Sequence, residues 1–484
     1  LGIQDYCNTD TIDKANTTFI QKVIKVHNDE TLRPINYWDF GFRINYKTER
    51  VLKPDFGIVK NMLDKWPNQK KTFRLIKRFT YTHPDLPVKV DLSVVRSSKK
   101  TQRGMIPEYR IENSNAFKNP EFYEIEVELD KDHPRYPIII SKDKKQELES
   151  YVLYTIKRSI KIVLSGLQES NFPISIDEQD DILNNYMGVL YKNPPERRIR
   201  TRDFIGPSSV SLELKNIAPL NDEGESIIPN IRKAYTITEK ADGLRKLLFI
   251  SKKGKVYLID TNMRVQFTGV KTDNKEYFNT IIDGEHVIND KKNNFINKYL
   301  AFDIYYINKL DIRDKRFYLE DSEEETRLSK LDKLMNEQIF QPVVGNILPL
   351  KIKAKSFHYS DEDNGSLFSN CKLILDKINS GQFEYETDGL IFTPADKAVG
   401  SNKVGELLDP VKKTWHASMK WKPSHLNTID FLVTTLKNEA KQDVVKNLFE
   451  SGDAVQSNNN VKEYKILQLR VGFDENKHGY LNPC

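Results

Sequence analysis

Cysteine is scarce in this chain: Cys7, Cys371 and Cys484 are the only three in 484 residues. They share no metal-ligand spacing and offer no disulfide framework, which points to a reducing, intracellular compartment. Long apolar runs are lacking too. None approaches the roughly 20 residues a helix needs to cross a bilayer, and no secretory segment opens the chain, so no membrane partner is expected. What is present is a globular composition, 38% apolar and 30% charged, in a chain long enough for two to four domains rather than one core. The net charge of +6 is modest, but Lys and Arg are unevenly spread, which suits a polyanionic substrate better than a lipid surface. Beginning at Leu1 and stopping at Cys484 in mid-pattern, the chain reads as a piece of something longer.

Residues 1–170 are expected to form a first domain. Apolar spacing over Thr17 to Asn28 predicts a short helix, after which strands follow: Phe40 to Tyr46, Lys71 to Tyr81 and Val88 to Arg96. Arg74 and Arg78 share one strand face, and Lys89, Asp91 and Ser93 share another, with Arg96 closing that strand. In Phe122-Tyr-Glu-Ile-Glu-Val-Glu-Leu-Asp130 the period of two projects Glu124, Glu126 and Glu128 from one face and turns Tyr123, Ile125, Val127 and Leu129 toward a core. Three carboxylates in a row repel unless a cation lies among them, and hard oxygen ligands suit Mg²⁺ or Mn²⁺. The alternative is an exposed sheet face whose glutamates pair with lysines on the next strand. Basic strands facing a metal-bearing acidic strand would make a cavity fit for a polyphosphate.

These strands resemble the triphosphate tunnel metalloenzymes, which use a Glu-x-Glu strand inside an eight-stranded antiparallel barrel to hydrolyse terminal phosphates. The resemblance implies triphosphate binding by Arg74, Arg78, Lys89 and Arg96, and metal binding by Glu124, Glu126 and Glu128. The second glutamate strand that the family places near its start has no counterpart before residue 50. Gln146 to Leu167 predicts a core helix. Residues 171–202, with Asn193-Pro-Pro-Glu-Arg-Arg-Ile-Arg-Thr-Arg202, read as a solvated linker whose arginines could touch RNA.

In residues 203–425 the stretch Tyr235-Thr-Ile-Thr-Glu-Lys-Ala-Asp-Gly-Leu-Arg245 is a strand, a turn at Asp242-Gly243 and a second strand. A lysine at a strand end beside a glycine is a candidate nucleophile for phosphoryl chemistry. An exposed hairpin with a solvated lysine is the plain alternative. Downstream come Asp283-Gly-Glu285, Phe302-Asp303, Asp388-Gly389 and Lys420-Trp-Lys422, each on an apolar strand. Singly they are ordinary buried strands with one polar residue.

In this order they resemble the signature series of the covalent nucleotidyltransferases: DNA ligases, RNA ligases and mRNA capping guanylyltransferases. The resemblance implies Lys240 as the nucleophile and Arg245 on the ribose. Glu285 and Asp388 would serve the sugar or a metal, Phe302 would stack on the base, and Lys420 and Lys422 would hold the α-phosphate. Residues 426–484 would begin an OB-fold lid, whose closing basic motif has no counterpart before Cys484. A tunnel domain ahead of such a transferase resembles the mRNA capping enzymes of large DNA viruses. That implies an α+β chain that removes the γ-phosphate of 5′-triphosphate RNA and then transfers GMP from GTP, with Mg²⁺ or Mn²⁺, in the host cytoplasm or the virion. A methyltransferase would lie beyond Cys484. The competing expectations are an ATP-dependent ligase with a basic β domain in front, and a non-catalytic RNA 5′-end scaffold.

Overall fold

Phe19-Ile-Gln-Lys-Val-Ile24 combines an aromatic with three β-branched residues, a composition at home on a pleated strand. In the computed structural model of the chain it is a strand. The structure describes residues 6–471, apart from 8, 10, 14, 15, 25, 28, 29, 32, 103, 131, 137–144, 220–227, 321–323, 362–364, 429, 430 and 450–460. β1 (Phe19–Ile24) pairs antiparallel with β2 (Lys47–Leu52), so the helix expected from Thr17 to Asn28 is not formed. The reason is tertiary: the ladder lets Phe19 and Leu52 bury together against Val59 of α1 (Gly57–Asp64), which a lone helical turn could not offer.

β3 (Arg74–Thr82), β4 (Val88–Ser97) and β5 (Phe122–Leu129) form an antiparallel sheet in the order β5-β4-β3. Among the described residues this sheet has three strands, and the expected closed eight-stranded barrel is not seen. Its apolar face is not a buried core either, since Tyr123 is 76% exposed and Tyr81 56%. α2 (Lys145–Gln168) lies where the helical spacing predicts it.

α3 (Ile176–Leu190) occupies the segment expected to be a linker. Ser175 caps it by accepting the amide of Glu178, and acids at 177 and 178 face the positive end of the helix dipole. Its Ile182, Tyr186, Met187, Val189 and Leu190 are buried in one cluster with Leu247, Phe249 and Tyr257. The segment therefore belongs to the core of the domain that follows, and its polar composition reflects only the helix's outer face.

Two sheets follow. The first has the order β6-β18-β17-β7-β16, from β6 (Ser208–Ser211), β7 (Tyr235–Ala241), β16 (His358–Ser360), β17 (Thr387–Pro394) and β18 (Thr414–Trp421). The second runs β13-β12-β11-β8-β9-β10-β14. It comprises β8 (Leu244–Ile250), β9 (Lys255–Asp260), β10 (Val265–Lys271), β11 (Thr280–Asn289), β12 (Phe295–Ile307), β13 (Leu310–Asp311) and β14 (Gln341–Pro342). β15 (Lys351–Ala354) adds to it in parallel on β12. The second sheet is buried on both faces: residues 247 and 249 pack toward α3, while 248 and 250 pack toward α4 (Arg327–Asn336). α5 (Leu367–Asn379) covers the first sheet over Ile237, Leu390 and Phe392.

β7 and β8 do not pair with each other. β7 bonds to β16 and β17, β8 to β9 and β11, so the chain passes from one sheet to the other at Asp242-Gly243. The simple hairpin reading fails here, and Lys240 stands at the seam of the two sheets. Past residue 430, β19 (Leu432–Thr435) pairs with β22 (Leu467–Arg470), and β20 (Val445–Phe449) with β21 (Val461–Lys465). Ile466 alone separates β21 from β22. Residues 472–484, where the chain was expected to stop inside the lid, lie outside the described ones.

Candidate active site

At the end of β7 the pairing with β17 shifts register between Glu239 and Ala241. Such an irregularity re-aims a side chain. The Lys240 Nζ donates to Asp388 Oδ1 at 2.7 Å, and Lys422 Nζ lies 2.6 Å from Asp388 Oδ2. One carboxylate therefore holds two ammonium groups, one from β7 and one from just beyond β18. Burial of Asp388 works against its charge, yet the two lysine hydrogen bonds prevail and hold its carboxyl below the usual range. Gly389 permits this: its φ is +139°, and a Cβ there would stand 1.9 Å from the Trp421 carbonyl oxygen. Lys420 is half-buried near the end of β18, opposite Ile391, with no ion pair among the described residues.

Arg245 opens β8 facing Glu285 of β11. Its guanidinium grips Asp283, with Nε 3.1 Å from Oδ1 and Nη2 2.5 Å from Oδ2, while Nη1 donates to the Pro207 carbonyl at 2.7 Å. The rings of Phe204 and Phe302 each lie 5.7 Å from it. Burial disfavours this cation, but the fully buried Asp283 more than offsets it and raises the Arg245 pKa. Arg245 is thus locked as a corner post, and Phe302 is half-buried against it. Asp303, by contrast, is bound through both oxygens by the buried Arg327 and serves the fold.

Burial pushes the Glu285 carboxyl up to about 7, although Lys355, Arg245 and Lys240 pull the other way. Lys355, Glu239 and Tyr385 are site neighbours that the motif series did not single out. Lys355 Nζ is 3.3 Å from Glu239 Oε1, which also accepts the Tyr385 hydroxyl at 2.8 Å. With Lys298, Lys353 and His358 they line a cavity of about 190 Å³. The alternation Lys351-Ile-Lys353-Ala-Lys355 was the available sequence signal, since it sets three amines on one side of a strand.

In the first domain Arg74 binds Glu124 at 2.5 Å, and Arg78 bridges Glu126 at 3.1 Å and Asp91 at 3.0 Å. Lys89 stands opposite Glu128 in register and binds Asp130 at 2.8 Å. Glu124 and Glu126 thus pair with arginines of β3, two strands away across the sheet face, and not with lysines of the adjacent β4. Among the described residues no group of three acidic, histidine or cysteine side chains is arranged to hold a metal ion. Arg96 points to the opposite sheet face, as its odd offset from Lys89 requires, and pairs with Glu121 at 2.7 Å. No helix among the described residues is long and apolar enough to cross a membrane.

Two sheets meeting at a lysine, with a bridging carboxylate and further lysines on the neighbouring strand end, define a nucleotidyltransferase domain in a mixed α+β chain. Residues 171–413, half of the chain, match the family described as mRNA capping enzyme, catalytic domain, and the chain belongs to that family. It is 26% identical over 411 residues to the probable mRNA-capping enzyme of Acanthamoeba polyphaga mimivirus, covering 75% of this chain and 30% of that protein. It is 26% identical over 250 residues to the mRNA-capping enzyme of Danio rerio, covering 48% and 35%. With the mRNA-capping enzyme subunit alpha of Schizosaccharomyces pombe it shares 24% over 294 residues, covering 55% and 61%. The chain spans about a third of the length of the mimivirus and fish relatives.

Proposed function

We propose that this chain caps RNA: the Lys240 amine attacks the α-phosphate of GTP, pyrophosphate leaves, and the lysyl-GMP bond is then broken by the terminal oxygen of a 5′-diphosphate RNA. The observation that carries this reading is the Lys240–Asp388–Lys422 bridge at the sheet seam, in a chain of the capping family. A protonated amine is no nucleophile, so the Lys240 ammonium must part from Asp388 and lose its proton before attack. Lys420 and Lys422 then meet the charge that develops on the α-phosphate. Phe302 offers a face to the base, and Arg245 and Glu285 border the sugar.

The capping family uses a divalent metal, and Mg²⁺ is commonly held by one or two carboxylates plus substrate phosphates rather than by a protein cage. Asp388 and Glu285, which both feel the Lys240 charge, would fit that donor set, and a metal there would neutralise phosphate charge. The test is an intact-mass spectrum after incubation with Mg²⁺ and GTP or ATP. A GMP adduct on Lys240 supports capping. An AMP adduct would mean a ligase, and no adduct with either would move the reading to an RNA-end scaffold.

The finer reading concerns the first domain. Arg74, Arg78 and Lys89 share one sheet face, which favours binding of an RNA 5′-triphosphate there and release of its γ-phosphate before GMP transfer. Arg78→Ala should then lower phosphate release from 5′-triphosphate RNA and leave the GMP adduct intact. Unchanged release would remove the first domain from this role.

A further inference from the structure

The cluster Glu196-Arg-Arg-Ile-Arg-Thr-Arg-Asp203 is sorted by the structure into anchors and free cations. Arg197 forks onto Asp203, with Nη1 2.8 Å from Oδ2 and Nη2 2.6 Å from Oδ1, and Asp203 also accepts the Arg200 amide at 2.8 Å. Asp203 is fully buried, and Ile199 packs onto the core beside Tyr191. The backbone is thus pinned, while Arg198, Arg200 and Arg202 are exposed. A distant segment joins them: the Lys412 amide donates to the Arg202 carbonyl at 2.8 Å, and the Tyr191 hydroxyl reaches the Pro410 carbonyl at 3.3 Å. Lys192, Lys412 and Lys413 are exposed in the same region, and among the described residues none of these six cations has an ion-pair partner. The acids along these two segments are Glu196 and Asp409, with Asp203 already bound by Arg197.

We propose that this basic track binds the phosphodiester backbone of the acceptor RNA, behind the 5′ end that enters the site. The inference rests on the capping reading. Position supports it: the track runs through Phe204 to Pro207, whose carbonyl holds Arg245, the corner post of the nucleotide cleft. Five residues of chain span at most about 17 Å, so Arg202 lies within that distance of the Pro207 backbone. Chemistry supports it as well. Guanidinium forks match phosphate oxygens, and unpaired exposed cations keep their full charge available for counterion release.

The test uses the full chain and a 5′-diphosphate RNA about 20 nucleotides long, with binding read by fluorescence anisotropy across a salt series. Replacing Arg198, Arg200, Arg202, Lys412 and Lys413 by alanine should weaken binding at least about tenfold and flatten the slope of log K against log salt by about 3.5, at about 0.7 per phosphate contact on a single strand. The GMP adduct on Lys240 should form at the wild-type rate, which also reports folding. KM for the long acceptor should rise while kcat and the use of a dinucleotide acceptor stay unchanged. Arg198→Lys, Arg200→Lys and Arg202→Lys together should keep the wild-type slope. Unchanged affinity and slope in the alanine variant would overturn the proposal, as would stronger competition by an acidic peptide than by RNA. Failure of the wild type to form a GMP adduct would sink the capping reading instead, since RNA affinity and its salt slope are measured without GTP.

Discussion

Gly389 and Trp421 meet backbone to backbone: a Cβ on Gly389 would lie 1.9 Å from the Trp421 carbonyl oxygen, at a φ of +139° that side chains rarely adopt. This approach lets Asp388, just before Gly389, and Lys422, just past the end of β18, form an ion pair. Gly389→Ala should therefore destabilise the chain by about 2–4 kcal/mol through strain and a forced strand separation. It should also slow adduct formation more than tenfold. Thermal unfolding and intact-mass labelling measure the two effects, and a variant as stable as the wild type would mean the strands have slack.

Lys240→Ala should abolish the covalent GMP adduct without lowering the unfolding temperature, because the amine is at a partly exposed seam and packs no core. Asp388→Asn keeps the shape but removes the anion between Lys240 and Lys422. Its rate of adduct formation should fall by about 10²–10³-fold, the scale of losing one preorganised electrostatic group. Labelling time courses with excess GTP would show either result.

Glu285 carries a pH signature. Its carboxyl is raised from 4.5 to about 7 by burial, so between those values the folded chain binds more protons than the unfolded one. Stability from this group is present below about 4.5 and is lost as pH rises through about 7. Relative to the wild type, Glu285→Gln should gain in unfolding temperature at pH 8 and show little difference near pH 5. Parallel melting curves across that range would dismiss the shift.

Asp283→Asn should be more damaging than its conservative size suggests. Asp283 is fully buried and binds both Arg245 and the Tyr305 hydroxyl. Removing its charge leaves a largely enclosed guanidinium without its counter-ion, a loss of about 3–5 kcal/mol for a broken buried pair. Urea denaturation gives the number, and a change under 1 kcal/mol would show that water reaches Arg245 readily.

Much of the transferase was legible in the residues. The strands carrying Lys240, Arg245, Glu285, Phe302, Asp388 and Lys420 lie where alternation predicts them, because an apolar strand flanked by glycine turns has few other options. α2 was equally clear from its spacing. α3 was not, since a helix that buries only one stripe reads as polar when its caps and outer face are charged. The strand at Phe19 was misread as a helix because a short apolar run fits both periods until a partner strand is known. Lys355 and Glu239 carry no local signal of their pairing, which arises only when the end of β15 and β7 are brought together.

By itself the sequence determined which residues bear charge on otherwise apolar strands, and in what order they occur. Local periodicity and turn chemistry are short-range properties, so they survive without knowledge of the fold. Only the tertiary structure decided that β7 and β8 part into different sheets, that Lys240 and Lys422 share Asp388, and that Arg96 turns away from Arg74 and Arg78. It also decided that Arg202 and Lys412 lie side by side. These are pairings between segments far apart in the chain, and they are settled by which faces can be buried together, a quantity no local pattern contains.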